Sequence, residues 1–184
     1  MIQKVSSFFY YKIFGWRLGG DVPYDLDKYI FVVIPHTSNW DFVIGWLAIR
    51  ASGLDVTIFI KDTFFVWPFK TICRFFGCAP VNRRESTNFV DSIARQYQER
   101  DKLAALITPE GTRKNQQQLK SGYYYLAQKA GVPLVVAGVD YATKTLTLLP
   151  PRMPLETFEQ DTANLIAYAK TVTAHNTDQT FPHE

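Results

Sequence analysis

Two stretches of this 184-residue chain carry side chains suited to proton chemistry, HTSNWD at 36–41 and PEGTR at 109–113. His36 stands at the end of an apolar run, and Asp41 follows in the first turn of a helical pattern. A tight turn between strand and helix lets the two meet. The positive end of that helix favours an ionised Asp41, which can accept the imidazole N–H and fix one tautomer, leaving the other ring nitrogen free to take a proton. Alone the pair is weak evidence: such a spacing arises by chance in roughly 10% of comparable sequences, and the same residues could merely cap and orient a loop. PEGTR weighs more, because a given pentapeptide occurs only on the order of once per million positions.

Taken with FGCAPVNRR at 76–84, LKSG at 119–122 and VPLVV at 132–136, these segments resemble the lysophosphatidate and glycerolphosphate acyltransferase family in motif content, order and approximate spacing. The resemblance spans residues 30–139. It implies transfer of a fatty acyl group from acyl-CoA or acyl carrier protein to a lipid hydroxyl, with 1-acyl-glycerol 3-phosphate as the acceptor. His36 would be the general base and Asp41 its orienting partner. The thioester is already activated, so the resemblance calls for no metal and no cofactor beyond the acyl donor.

In that family the second and third motifs form the acceptor site, which carries over to Arg83, Glu110, Gly111, Thr112 and Arg113. Guanidinium groups suit a phosphate monoester, and a glycine-containing turn lets backbone N–H groups approach its oxygens. The lesser alternative is that Glu110 and Arg113 form a salt bridge that shapes the loop, and an arginine can serve both ends. Lys61 matches a lysine that opens the second motif and would add positive charge. Two departures bear on the headgroup: Lys70 stands where a glycine is usual, and Arg84 doubles the basic residue at 83. Other acceptors, such as a lyso-aminolipid, therefore remain alternatives. So do an acyl thioesterase, with His36 activating water, and a non-catalytic lipid-binding module.

The elements that must position these residues follow from periodicity. Apolar β-rich runs predict strands at 29–34, 56–60, 103–108, 132–139 and 145–149, the last pairing with its predecessor through the turn at 142–144. Helices are expected at 40–51 behind Ser38 or Asn39, at 86–100, at 121–129 up to Gly131, and at 162–174. Residues 64–82, rich in aromatics and broken by Pro68, Gly77 and Pro80, suggest a short helix and a strand at 79–82. Strands alternating with helices predict one α/β domain over 1–184, a sandwich with a mixed, largely parallel central sheet flanked by helices.

Residues 2–16 place Ile2, Val5, Phe9, Ile13 and Trp16 at helical spacing. The stripe is either an in-plane membrane anchor, with Trp16 and Arg17 at the interface, or a face packed on the core. FFVWPF at 64–69 is open to the same division, as a groove or bilayer contact or as ordinary core. A turn is expected at Gly19, Gly20 and Pro23, and 176–184 reads as a frayed tail.

Composition is globular, with 47% hydrophobic residues, and the net charge of +3 is too small to signal nucleic-acid binding. Cys73 and Cys78, the two cysteines, match neither a zinc site nor a disulfide framework and are expected reduced and buried. No window reaches the ~20 apolar residues of a membrane span, and the N-terminal stretch lacks a secretory pattern. The expected location is cytoplasmic, peripherally on the inner face of the membrane, with a lipid acceptor and acyl donor as partners.

Overall fold

The structure is a computed structural model that describes residues 2–81, 86–111 and 118–181. The strands are β1 (Arg17–Gly20), β2 (Lys28–Val33), β3 (Val56–Lys61), β4 (Cys78–Val81), β5 (Leu103–Ile107), β6 (Leu134–Asp140) and β7 (Thr145–Leu148). They form one seven-stranded sheet in the order β1-β7-β6-β2-β5-β3-β4. From β6 to β4 the strands are parallel, and β7 pairs antiparallel with β6 through the expected hairpin.

The central strands are buried on both faces, as their continuous apolar runs require. Successive side chains of β2 alternate between two cores: Ile30 and Val32, with Ile34 just beyond the strand, enter one, and Tyr29 and Phe31 the other. Helices α4 (Ser86–Glu99), α5 (Gly122–Ala130) and α6 (Phe158–Ala169) cover the first face with Ile93, Leu126 and Leu165. Helix α2 (Asn39–Ser52) covers the second with Ile44, Leu47 and Ala48. The single-domain α/β sandwich read from the sequence is the observed architecture.

Four local expectations need correction. Residues 17–20 form edge strand β1, parallel to β7. Gly20 takes φ +78°, and a Cβ there would lie 1.8 Å from the Leu148 carbonyl oxygen, so glycine permits the close approach that its sequence suggested was a turn. Helix α6 begins earlier than periodicity indicated, because the Thr157 side chain caps it by accepting from Gln160 N at 3.2 Å. It ends at Ala169, not 174. The segment 176–181 is not frayed: 177–179 make a 3-10 turn, and Phe181 enters the core. Cys73 and Cys78 are not joined in a disulfide, and both are only half-buried.

The N-terminal stretch departs most instructively. Helix α1 (Ile2–Ser7) runs into a π-helical turn at Phe8–Ile13. Its covered face is Ser6 and Tyr10, with the Gln3 side chain donating to Ala51 O at 3.3 Å. Trp16 is buried beyond it, away from any interface. Ile2, Val5, Phe9 and Ile13, the apolar stripe, face outward. In the aromatic segment, Trp67 is 88% exposed, and Val66 and Phe69 are exposed beside it, so these three are not core. Phe69 and Ile72 of α3 (Phe69–Phe75) are exposed as well, while the half-exposed Phe75 and its neighbour Phe76 reach Trp46 of α2 with ring centroids 5.5 and 5.1 Å away. Among the described residues no helix is long and apolar enough to cross a membrane.

Candidate active site

Strand β2 delivers the chain to His36, and Ser38 starts α2 through a capping box in which Asp41 takes the acidic position. The Ser38 side chain accepts from Trp40 N at 3.2 Å. Asp41 Oδ2 accepts the backbone N–H groups of Thr37 and Ser38, both at 2.8 Å. This local wrapping turns the carboxylate back over the loop, where Oδ2 lies 3.2 Å from His36 Nδ1. The ring N–H does not point squarely at that oxygen, so Nδ1 has no fully aligned hydrogen bond. Nε2 makes no hydrogen bond to the described residues.

Asp41 is buried, with its side chain 2% exposed. Burial alone would raise its pKa, but contacts from His36, the Ser38 N–H and the Tyr141 hydroxyl outweigh it and hold the carboxyl below its ordinary value. Asp41 is therefore the ionised member of the dyad, the state in which it stabilises the Nδ1–H tautomer.

PEGTR reaches the same place through the sheet. Strands β2 and β5 are adjacent and parallel, with Val32 opposite Ile107, so the loops after them emerge side by side. The chain leaves β2 toward β3 on one side and returns to β6 on the other, the kind of crevice at strand carboxyl ends where open α/β sheets bind ligands. Glu110 reaches across 74 positions, and both of its oxygens accept the His36 N–H at 3.0 Å. Its carboxylate is thus turned into the protein, anchoring the histidine loop. Burial pushes its pKa up to about 8, against the lowering effect of that N–H, with the nearby Asp41 charge raising it further.

Gly111 closes the turn at φ +64°, donating its N–H to Thr108 O at 3.0 Å. The Lys120 side chain lies over it, so that a Cβ at 111 would fall 2.7 Å from Nζ. Lys120 belongs to the LKSG segment, yet its spacing alone did not mark it as part of the site. Arg83, Thr112 and Arg113 lie outside the described residues, as does the side chain of Lys61. The Lys61 backbone ends β3, beside β5 at the same end of the sheet.

A cavity of about 1660 Å³ opens here. His36, Asp41, Gly111 and Lys120 line its polar part, and Phe31, Val33, Trp46 and Leu106 are among its apolar walls between α2 and the sheet. The arrangement can remove a proton beside a cation and house a long apolar group. Two supports were invisible in the sequence. The Tyr141 hydroxyl donates to Asp41 Oδ1 at 2.8 Å, and Asn176 N donates to the Thr37 hydroxyl at 3.1 Å while its side chain donates to Thr37 O at 2.8 Å. Among the described residues no group of three or more His, Cys, Asp or Glu side chains could hold a metal ion.

Comparison with known proteins bears on the fold and the family. The crystal structure of the 1-acyl-sn-glycerophosphate (LPA) acyltransferase PlsC from Thermotoga maritima shares the fold, with a TM-score of 0.59 and 15% identity over 92% of this chain and 77% of that one. No curated protein matches by sequence. The family model described as Acyltransferase matches residues 22–139. Since that span holds every motif from HTSNWD to VPLVV, the chain belongs to the acyltransferase family of enzymes.

Proposed function

We propose that this acyltransferase moves a fatty acyl group from acyl-CoA or acyl carrier protein to the hydroxyl of a lysophospholipid, with 1-acyl-glycerol 3-phosphate as the acceptor. The observation that carries the reading is the His36–Asp41 contact at the polar mouth of an apolar cavity. Nε2 of His36 takes the acceptor hydroxyl proton as the oxygen attacks the thioester carbonyl. The tetrahedral intermediate then expels the thiolate, which receives that proton from His36. No covalent acyl-enzyme is needed, and the protein's work is to orient the alcohol and stabilise the developing oxyanion.

Positive charge for the acceptor phosphate comes in this reading from Lys120 over Gly111, together with Arg83, Arg113 and Lys61, and Thr112 offers a neutral hydroxyl donor. Glu110 supports the site by holding the histidine backbone. The outward stripe Ile2, Val5, Phe9 and Ile13, with Trp67 and Phe69, supports peripheral docking on a bilayer, since exposed apolar clusters of this kind mark interaction surfaces. Docking at the inner face would bring the lipid acceptor to the cavity.

The test is incubation of the purified protein with a labelled acyl thioester and a panel of lysolipids, with products identified by mass spectrometry. Acylated glycerol phosphate is expected. Preference for a phosphate-free acceptor would retire the lysophosphatidate assignment, and hydrolysis undiminished by any acceptor would replace transfer with thioesterase activity.

A further inference from the structure

Asp41 has two oxygens with different company. Oδ2 receives the Thr37 and Ser38 N–H groups and faces His36 Nδ1, whereas Oδ1 has one described donor, the Tyr141 hydroxyl at 2.8 Å. Tyr141 follows β6, a hundred positions from Asp41, and is itself held on several sides. Its N–H donates to Thr173 O at 2.9 Å, its ring meets Trp16 edge-on at 5.0 Å, and His175 packs on it at 4.9 Å. The neighbouring Asn176 grips Thr37, at the other side of the same loop.

We propose that Tyr141 is a positioning residue for acyl transfer, fixing the rotation and charge distribution of Asp41 so that Oδ2 stays aimed at His36; the inference rests on the function proposed above. Without the hydroxyl, Oδ1 becomes a buried carboxylate oxygen lacking a donor, which makes Asp41 a stronger base and keeps the imidazole proton-bound to higher pH. It also frees the carboxylate to rotate out of line. The other ionisable groups facing the dyad are Glu110, at the His36 N–H, Lys120 across the cavity and His175 behind the tyrosine ring. None of them is a described partner of Oδ1.

Tyr141→Phe keeps the ring and removes only the oxygen, so the packing with Trp16 and His175 survives. The expected result is a fall in kcat of about tenfold, because the unheld carboxylate spends part of its time turned out of line with His36. KM for both substrates should stay within about twofold, and the acid limb of the kcat profile should move to higher pH. In parallel, the His36 ring protons, followed by NMR, should titrate at higher pH in Y141F than in the unaltered protein. That measurement needs no turnover, so it tests the positioning even if the unaltered protein transfers to no lysolipid, an outcome that would defeat the functional reading instead. An unchanged titration, or a lowered melting temperature with unchanged kcat and acid limb, would leave Tyr141 a packing residue and overturn the proposal.

Discussion

Replacing Asp41 with asparagine keeps the side-chain shape and removes one charge from a buried site. The amide nitrogen can take the Oδ1 position, because the Tyr141 hydroxyl can turn from donor to acceptor, and the amide oxygen then still receives Thr37 and Ser38 N–H. Those two bonds fall from charge-assisted to neutral strength at about 1 kcal/mol each, and the helix N-terminus loses about 0.5 kcal/mol of charge interaction. Relief of the buried charge offsets part of this, leaving a net cost of about 1–2 kcal/mol and a melting shift of roughly 2–8 °C. Activity should suffer far more, with kcat falling by roughly 10²- to 10⁴-fold, since a neutral amide oxygen facing Nδ1 no longer stabilises the developing imidazolium. The pH dependence separates the effects. Asp41 titrates below its ordinary value of 3.8, so its stabilisation is present above that pH and is lost as pH falls through the folded value. The melting difference between the proteins should therefore close on acidification below about pH 4. Transfer assays beside melting curves test both arms, and a folded D41N within about threefold of the original kcat would refute the dyad.

Other consequences are equally measurable. His36→Ala should abolish detectable transfer, with a melting temperature within a few degrees of the original; a retained rate would move the base elsewhere. Glu110→Gln preserves an acceptor for the His36 N–H but cannot ionise. With its folded pKa pushed up to about 8 from an ordinary 4.5, Glu110 binds its proton more tightly folded than unfolded, so native stability should decline as pH rises across that window. E110Q should lack this slope in urea titrations at pH 5 to 9, and an identical slope would place the titration elsewhere. Trp67→Ser combined with Phe69→Ser should weaken sedimentation with anionic vesicles while leaving turnover of a detergent-dispersed acceptor in place; unchanged sedimentation would remove this segment from the membrane contact.

Much of the fold was legible in the sequence because the central strands are apolar without interruption and helix stops such as Gly53 and Gly131 are written locally. The His36–Asp41 pair was legible for the same reason: Ser38 and Asp41 form a capping box within a single turn, which brings the carboxylate back toward His36 by local geometry. Strand β1 and the start of α6 were not, since each depends on a close contact or a cap that periodicity does not record.

What the sequence by itself determined is therefore short-range, namely which residues are strand, where helices stop and which histidine can find which carboxylate. Tertiary structure alone decided that Glu110 grips the His36 backbone, that Tyr141 reaches Asp41, and that the N-terminal apolar stripe looks outward. The physical reason is that spacing reveals which side chains share a face, whereas the order of strands in the sheet decides which loops become neighbours and which faces are covered.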